Sequence, residues 1–315
     1  MKRKLLSIAL AAVMTLALVL AACAAPAPAP APQGSGSDTE ASKSVSVVDM
    51  TGRTVTLDKP AEKIVVLTAS SCEIVYALGA GDKVVGRGEY CDWPSEALAK
   101  PTVQSGTNTN IEQIIALEAD LLILTTMAQS PEQAKQLENA GVKVFTTDAV
   151  DIKGTYESIE QIGVLLGKET QASTIVNQMK SSFAAVSAQK LSGTVYFEVS
   201  PLEYGLWTAG NDTFMNEVAE MMGLENIFAD VSGWAQISEE QVLERNPDYI
   251  VTIGMYYGEG LKPDEEIASR ERWQDVSAVK NGAILNLANS ELSRPGPRLA
   301  DGAQELYSFV STHAK

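Results

Sequence analysis

Short apolar runs alternate with amphipathic stretches along most of this chain. Residues 64–67, 84–85, 121–124, 142–145, 195–199, 249–253 and 284–287 are wholly or largely apolar, the pattern of strands covered on both faces in a parallel sheet. Residues 70–78 open with capping residues, continue at helical spacing and stop at Gly79, which predicts a helix. Residues 45–49 and 54–57 flank Met50-Thr51-Gly52-Arg53 and read as a hairpin with Gly at its turn. Helical patterns lie between most of the strands, and this alternation predicts α/β units with parallel-type sheets. Residues 168–190 behave differently. Ala172, Ile175, Val176, Met179, Phe183 and Val186 recur with a helical period, and Gly and Pro are absent. At 1.5 Å per residue the stretch would span about 34 Å. It lies midway between residues 45–167 and 191–315, so the predicted architecture is two α/β lobes joined by a single long helix.

A weak internal repeat supports two lobes. Glu112-Gln113-Ile114-Ile115 precedes Asp120-Leu121-Leu122-Ile123 by the same interval that separates Glu240-Gln241-Val242-Leu243 from Asp248-Tyr249-Ile250-Val251. Earlier in each half, Glu73 and Gly79 share their spacing with Glu217 and Gly223. Two matches in the same order favour duplication over chance.

The first residues are of another kind. Lys2, Arg3 and Lys4 lead into residues 5–22, apolar except for Ser7 and Thr15 and ending in Leu20-Ala21-Ala22-Cys23. A cationic start, an apolar stretch and small residues before a break read as an export signal over 1–22; an uncleaved membrane helix is the alternative, since the 18 residues of this stretch can just span a bilayer. The cysteine at the break resembles the lipobox of bacterial lipoproteins, and that resemblance implies cleavage before Cys23 and a lipid on it. Residues 23–44 carry Ala-Pro repeats and then Gly34-Ser35-Gly36-Ser37, a tether that buries no core. The expected location is extracytoplasmic, with the membrane reached only through lipidated Cys23.

Charge and composition narrow the functions. The net charge of −16 becomes about −19 once the cationic start is removed, and so acidic a surface repels nucleic acid and anionic lipid. His313 is the only histidine, which removes His-rich metal sites and any internal His-based catalytic triad. No phosphate loop, Gly-x-Ser-x-Gly or Cys-x-x-Cys occurs, so neither an enzyme nor a resident metal or cofactor is expected. Cys72 and Cys91 either pair or stay as buried thiols.

Aromatic residues gather in presumed loops: Tyr90 and Trp93 around Cys91-Asp92, Trp207 after Gly205-Leu206, Trp234 after Gly233, and Tyr256-Tyr257 between Gly254 and Gly258. Such residues line clefts for large, flat, partly apolar ligands. Trp273, in a helix-like run, reads as core. Ser293-Arg294-Pro295-Gly296-Pro297-Arg298 follows a strand end, where ligands of open α/β sheets sit. Arg294 is thus a candidate polar contact, while Arg298 reads rather as the partner of Asp301 or another acid. Glu112 and Glu240 are first-turn helix acids whose matched positions would offer a two-point anionic contact to a basic partner.

From residue 45 onward the chain resembles the substrate-binding lipoproteins of ABC importers for cobalamin, haem and ferric siderophores. The resemblance is carried by Asp49-Met50-Thr51-Gly52-Arg53, Glu73-Ile74-Val75-Tyr76-Ala77-Leu78-Gly79, Asn110-Ile111-Glu112-Gln113-Ile114, Gly223-Leu224-Glu225-Asn226-Ile227-Phe228 and Arg294-Pro295-Gly296-Pro297-Arg298. It implies two lobes bridged by one long helix with the ligand in the cleft between the lobes, and Glu112 and Glu240 docking on permease subunits; the expected state is a monomer. Glu89-Tyr90-Cys91-Asp92-Trp93-Pro94 is similar to a segment of cobalamin binders whose Tyr touches the ligand, and Trp207 and Trp234 match aromatic contact positions there. The stretch from Gln104 to Thr109 lacks the Trp of the cobalamin binder compared. The implied transport ligand is a corrinoid such as cobalamin, with a ferric siderophore or haem as the alternative; for haem, only Tyr is present to reach the iron.

Overall fold

The computed structural model describes residues 44–106, 109–126, 130–254, 260–287 and 291–314. The export segment, Cys23, the tether up to residue 43, and Tyr256 and Tyr257 lie outside them. Among the described residues, no helix is long and apolar enough to cross a membrane.

The hairpin forms as β1 (Val45–Val48) and β2 (Thr54–Leu57), antiparallel in register. Gly52, at φ +83°, takes the left-handed turn position that suits glycine. Buried Asp49 organises this turn. It accepts from the Thr51 and Arg53 backbone N–H groups, from the Thr51 hydroxyl at 2.7 Å and from the Arg53 guanidinium at 2.8 Å. Burial pushes its carboxyl up, but these bonds outweigh burial and hold it below the usual aspartate range. Arg53 also donates to Thr146 at 3.0 Å, and the Met50 N–H to the Thr146 carbonyl at 3.1 Å. The hairpin therefore braces the chain where it leaves the strand that ends at Thr146.

The first lobe continues through β3 (Ile64–Val66), α1 (Ala69–Ala77), β4 (Val84–Gly88), β5 (Thr102–Val103), α2 (Ile111–Ala116), β6 (Leu121–Leu124), α3 (Pro131–Asn139), β7 (Lys143–Thr146) and α4 (Ile152–Leu166). Its sheet, ordered β5-β4-β3-β6-β7, is parallel throughout, and central β3 and β6 are buried along their whole length, as their apolar runs require.

Helix α5 (Glu169–Ser187) follows, with 19 residues and about 28 Å of length. It is shorter than the predicted 168–190 because Gly167, left-handed at φ +65°, ends α4 directly before it, and the turn ahead of the next strand begins after Ala188. The predicted stripe is its buried face: Ala172, Val176, Met179, Phe183 and Val186.

The second lobe holds β8 (Thr194–Ser200), β9 (Trp207–Ala209), α6 (Phe214–Met222), β10 (Glu225–Asn226), β11 (Trp234–Gln236), α7 (Glu239–Arg245), β12 (Tyr249–Thr252), α8 (Pro263–Ser269), α9 (Ser277–Lys280), β13 (Ile284–Asn286) and α10 (Leu299–His313). Here β8, β12 and β13 run parallel, β10 pairs parallel with the start of β8, and β9 and β11 add antiparallel strands on the other side. The sheet is mixed because the link from β8 to β9 is short, with Gly205 at φ +84°, and a parallel return would need a full crossover. Trp273 is wholly buried in this lobe's core, beside Tyr196 and under the Arg270 guanidinium.

Helix α5 packs against α4 of the first lobe and against α6 and α10 of the second, so one apolar cluster runs through both halves. The repeat has a structural counterpart. Asp120, before β6, accepts from the Glu62 and Lys63 N–H groups at the start of β3. Asp248, before β12, accepts from the Thr194 N–H and hydroxyl at the start of β8. Each aspartate fixes the register of its lobe's central strand pair.

The contact of α4 with α5 depends on Gly163, where an added Cβ would lie 2.6 Å from the Ala172 Cβ. Ala is about 1 kcal/mol the better helix former, but overpacking a rigid core costs about 1–3 kcal/mol. Gly163→Ala is expected to lower the urea midpoint despite its better propensity; a raised midpoint would mean that α4 and α5 separate easily.

Candidate functional site

The carboxyl ends of the parallel strands in both lobes open onto one cavity of about 620 Å³. The first lobe supplies Ser70, Ser71 and Ile74 from the start of α1, Thr125 beyond β6, Thr147–Val150 beyond β7, and Ser158 of α4. The second supplies Val199 and Ser200 from the end of β8, Trp207, Phe214, Trp234, Ile253 beyond β12, and Ser293 and Pro295 beyond β13. This is the crevice outside the strand ends where α/β sheets hold ligands.

Trp207 and Trp234 meet here through strand register. Trp207 pairs with Gln236, two residues from Trp234 on the same strand, so both indoles project from one sheet face as diagonal neighbours. Phe214 supports Trp234 with ring centroids 5.6 Å apart. The indoles remain 39% and 41% exposed, leaving large apolar surfaces for a ligand to cover. Serine and threonine hydroxyls and the Asp148 carboxylate supply polar points around a largely apolar wall, the composition of a small-molecule site. Sequence reasoning missed Phe214, whose signal was its place one residue after the N-cap Thr213, and missed the serines and Asp148, which carry no distinctive pattern.

Arg294 does not line the cavity, although its neighbours Ser293 and Pro295 do. Its guanidinium donates to Glu73 at 3.0 Å and to Asp92 at 2.6 Å. Arg298 donates to the same Glu73 at 2.7 Å and to Glu291 at 3.1 Å. Glu73 is 3% exposed, and a buried carboxylate in the first lobe draws both guanidinium groups inward to offset its desolvation. Arg294 thereby becomes a tie between the lobes. Burial pushes Asp92 up, but the hydrogen bond and charge of Arg294 outweigh it and hold the carboxyl below the usual range.

The other half of the repeat reaches across in the opposite direction. Glu217 of α6 accepts from the Ile152 N–H at the start of α4 at 2.7 Å. Burial pushes Glu217 up, the Ile152 bond pulls it down, and Asp151 and Glu220 raise it further, so the net shift is upward. Repeat-related Glu73 and Glu217 each bind the opposite lobe.

Tyr90 and Trp93 stand apart from the two indoles. Tyr90 is exposed on the loop that Asp92 ties to Arg294. Trp93 lies under the Arg298 guanidinium, 4.3 Å from its ring centroid, and lines a separate cavity of about 500 Å³ with Tyr76 and Pro297. Cys72 and Cys91 are buried free thiols. Glu112 and Glu240 take equivalent first-turn positions on α2 and α7, after the N-caps Asn110 and Ser238. Both are exposed, and Glu240 pairs with Arg272 at 2.8 Å. No group of His, Cys, Asp and Glu suited to a metal ion occurs among the described residues.

A model described as "Periplasmic binding protein" matches residues 64–290. Over 275 residues the chain is 36% identical to the "Uncharacterized ABC transporter substrate-binding lipoprotein YvrC" of Bacillus subtilis, covering 84% of this chain and 85% of that one. Among solved structures, the periplasmic vitamin B12 binding protein BtuF of Vibrio cholerae is similar with a TM-score of 0.68 and 27% identity, covering 81% of this chain and 98% of that one. A protein of Staphylococcus epidermidis described as a possible iron-binding (periplasmic solute-binding) protein gives 0.65 and 31%, covering 80% and 99%.

Removing one partner of a buried ion pair costs about 3–5 kcal/mol, so Glu73→Ala is expected to lower the stability of the chain by that order in urea denaturation. For Asp92, a depressed folded-state value means that its stabilisation is complete above the ordinary aspartate range and is lost as pH falls through the lower folded value. Thermal melts between about pH 5 and pH 2 are expected to fall less steeply for Asp92→Asn than for the parent chain; identical slopes would remove Asp92 from the tie.

Proposed function

The chain belongs to the periplasmic binding protein family and is an extracytoplasmic substrate-binding protein of an ABC transporter, and on that premise we propose that it captures a corrinoid of the cobalamin type and delivers it to the permease subunits. Support comes chiefly from Trp207 and Trp234, set on one sheet face inside a cavity that both lobes wall. A corrin is a broad, flat ring edged with amide side chains. Its faces suit two indoles and a phenyl ring, and its amides suit the hydroxyls of Ser70, Ser71, Thr147 and Ser200. Tyr90, exposed on a loop tied to the second lobe, is assigned to the ligand's outer edge. The similarity to the BtuF structure points the same way.

The rest of the assignment follows the same reading. Cys23 carries the lipid, residues 23–44 form the tether, and the protein acts as a monomer without a resident cofactor or metal. Glu112 and Glu240, one exposed acid per lobe, dock on basic residues of the permease. The buried ties through Glu73 and Glu217 favour a cleft that changes little when it fills. A second reading, a ferric siderophore or haem, is favoured by the likeness to the Staphylococcus epidermidis protein.

Titration with cyanocobalamin, followed by indole fluorescence, tests the corrinoid. Trp207→Ala and Trp234→Ala are each expected to weaken binding by about 1.5–3 kcal/mol, roughly tenfold to a hundredfold. Absence of binding at micromolar concentration would reject the corrinoid, and mass spectrometry of the copurified solute would then name the cargo. Glu112→Ala with Glu240→Ala is expected to abolish uptake into permease-bearing vesicles while leaving cyanocobalamin affinity unchanged.

A further inference from the structure

Among the described residues, the cavity wall holds no Lys, Arg or His. Among its described lining residues Asp148 is the one charged side chain; it stands exposed and accepts from the Thr126 hydroxyl at 2.8 Å. Three stretches outside the described residues follow Thr126, follow Gly254 and precede Glu291. They read Met127-Ala128-Gln129, Met255-Tyr256-Tyr257-Gly258-Glu259 and Ala288-Asn289-Ser290. No Lys, Arg or His occurs in these three stretches. Arg294 and Arg298 give no free positive charge behind Pro295, since the two guanidinium groups face the carboxylates of Glu73, Asp92 and Glu291. The start of α1 offers about half a positive charge, and its N-cap Thr68 makes no side-chain cap bond. That suits a carbonyl or amide oxygen and is outweighed by the full charge of Asp148.

We infer that this site selects by charge: it takes a solute that is neutral or cationic and bears neutral hydrogen-bonding groups, it rejects solutes carrying several negative charges, and Asp148 sets the preference. The inference rests on reading the cavity as the ligand site. An anion entering it gives up hydration, finds no cation in return, and meets a carboxylate in a medium less polarisable than water. Corrinoids with intact amides and neutral ferric trihydroxamates satisfy the rule. Ferric tris-catecholates, with three negative charges, and haem, with two propionates, do not.

Equilibrium titration of the full chain with matched probes tests this. Cyanocobalamin is neutral, aquacobalamin carries one positive charge, and cobalamin with hydrolysed side-chain amides keeps the same ring but gains carboxylates. A neutral ferric trihydroxamate and a ferric tris-catecholate form a second pair. Aquacobalamin is expected to bind more tightly than cyanocobalamin, and each added carboxylate to weaken binding about tenfold at low salt. Asp148→Asn should bring aquacobalamin and cyanocobalamin to near parity, and Asp148→Lys should recover much of the affinity lost by the carboxylate derivatives. Carboxylated cobalamin or the tris-catecholate binding as tightly as its neutral partner overturns the inference and leaves the transport reading standing, as does an unchanged order in Asp148→Asn. If the iron pair follows the charge order while no corrinoid binds, the inference holds and the corrinoid falls. If none of the five binds to protein with a native melt, both are overturned.

Discussion

The structure depends most on the carboxylate of Glu73. It is buried in the first lobe, and an unpaired charge there would be severely destabilising. Two guanidinium groups of the second lobe answer it, and the loop that carries them, held by Pro295, Gly296 and Pro297, must lie across the top of α1. Ser293 and Pro295 of that loop form part of the cavity wall. The ion pairs that hold the lobes together thus also set the shape of the space between them.

On the other flank Glu217 reaches back to the start of α4, and α5 carries the apolar face shared by both halves. An acid on each side and a helix with a buried stripe restrain the lobes through different physics: charge pairing, a capped helix start, and packing. Asp92 and Glu217 shift in opposite directions with burial and partners. Acid therefore weakens the first flank while relieving the second. A binding protein built this way presents a preformed cleft, which lowers the ordering cost that a ligand must meet.

The cavity's chemistry follows from what this frame leaves exposed. Arginines close to the strand ends are used as structural ties, so the wall retains indoles, a phenyl ring, hydroxyls and, among its described residues, one acid. Members of this family share a frame, and the frame says little about cargo. The charge and aromatic placement inside the cleft are the features that distinguish one solute from another.

Much of the frame was legible along the chain. Apolar runs marked the central strands because burial on both faces excludes polar residues. The stripe from Ala172 to Val186 marked α5 because the period of a helix fixes which residues share a face. The spacing of Asp120 with Asp248 and of Glu73 with Glu217 marked the duplication. The site was legible only in part. Trp207 and Trp234 stood out as large residues beside glycines, but their strands have three residues each, too few for a period to register. Arg294 carried the chemistry of a ligand contact, and its pairing with Glu73, 221 residues away, is a long-range contact that no local pattern encodes. Residue type and period determined the elements and their order. Which charges met, and therefore which remained to face a ligand, was decided by the folding together of distant segments, because burial of a charge is a property of its three-dimensional surroundings.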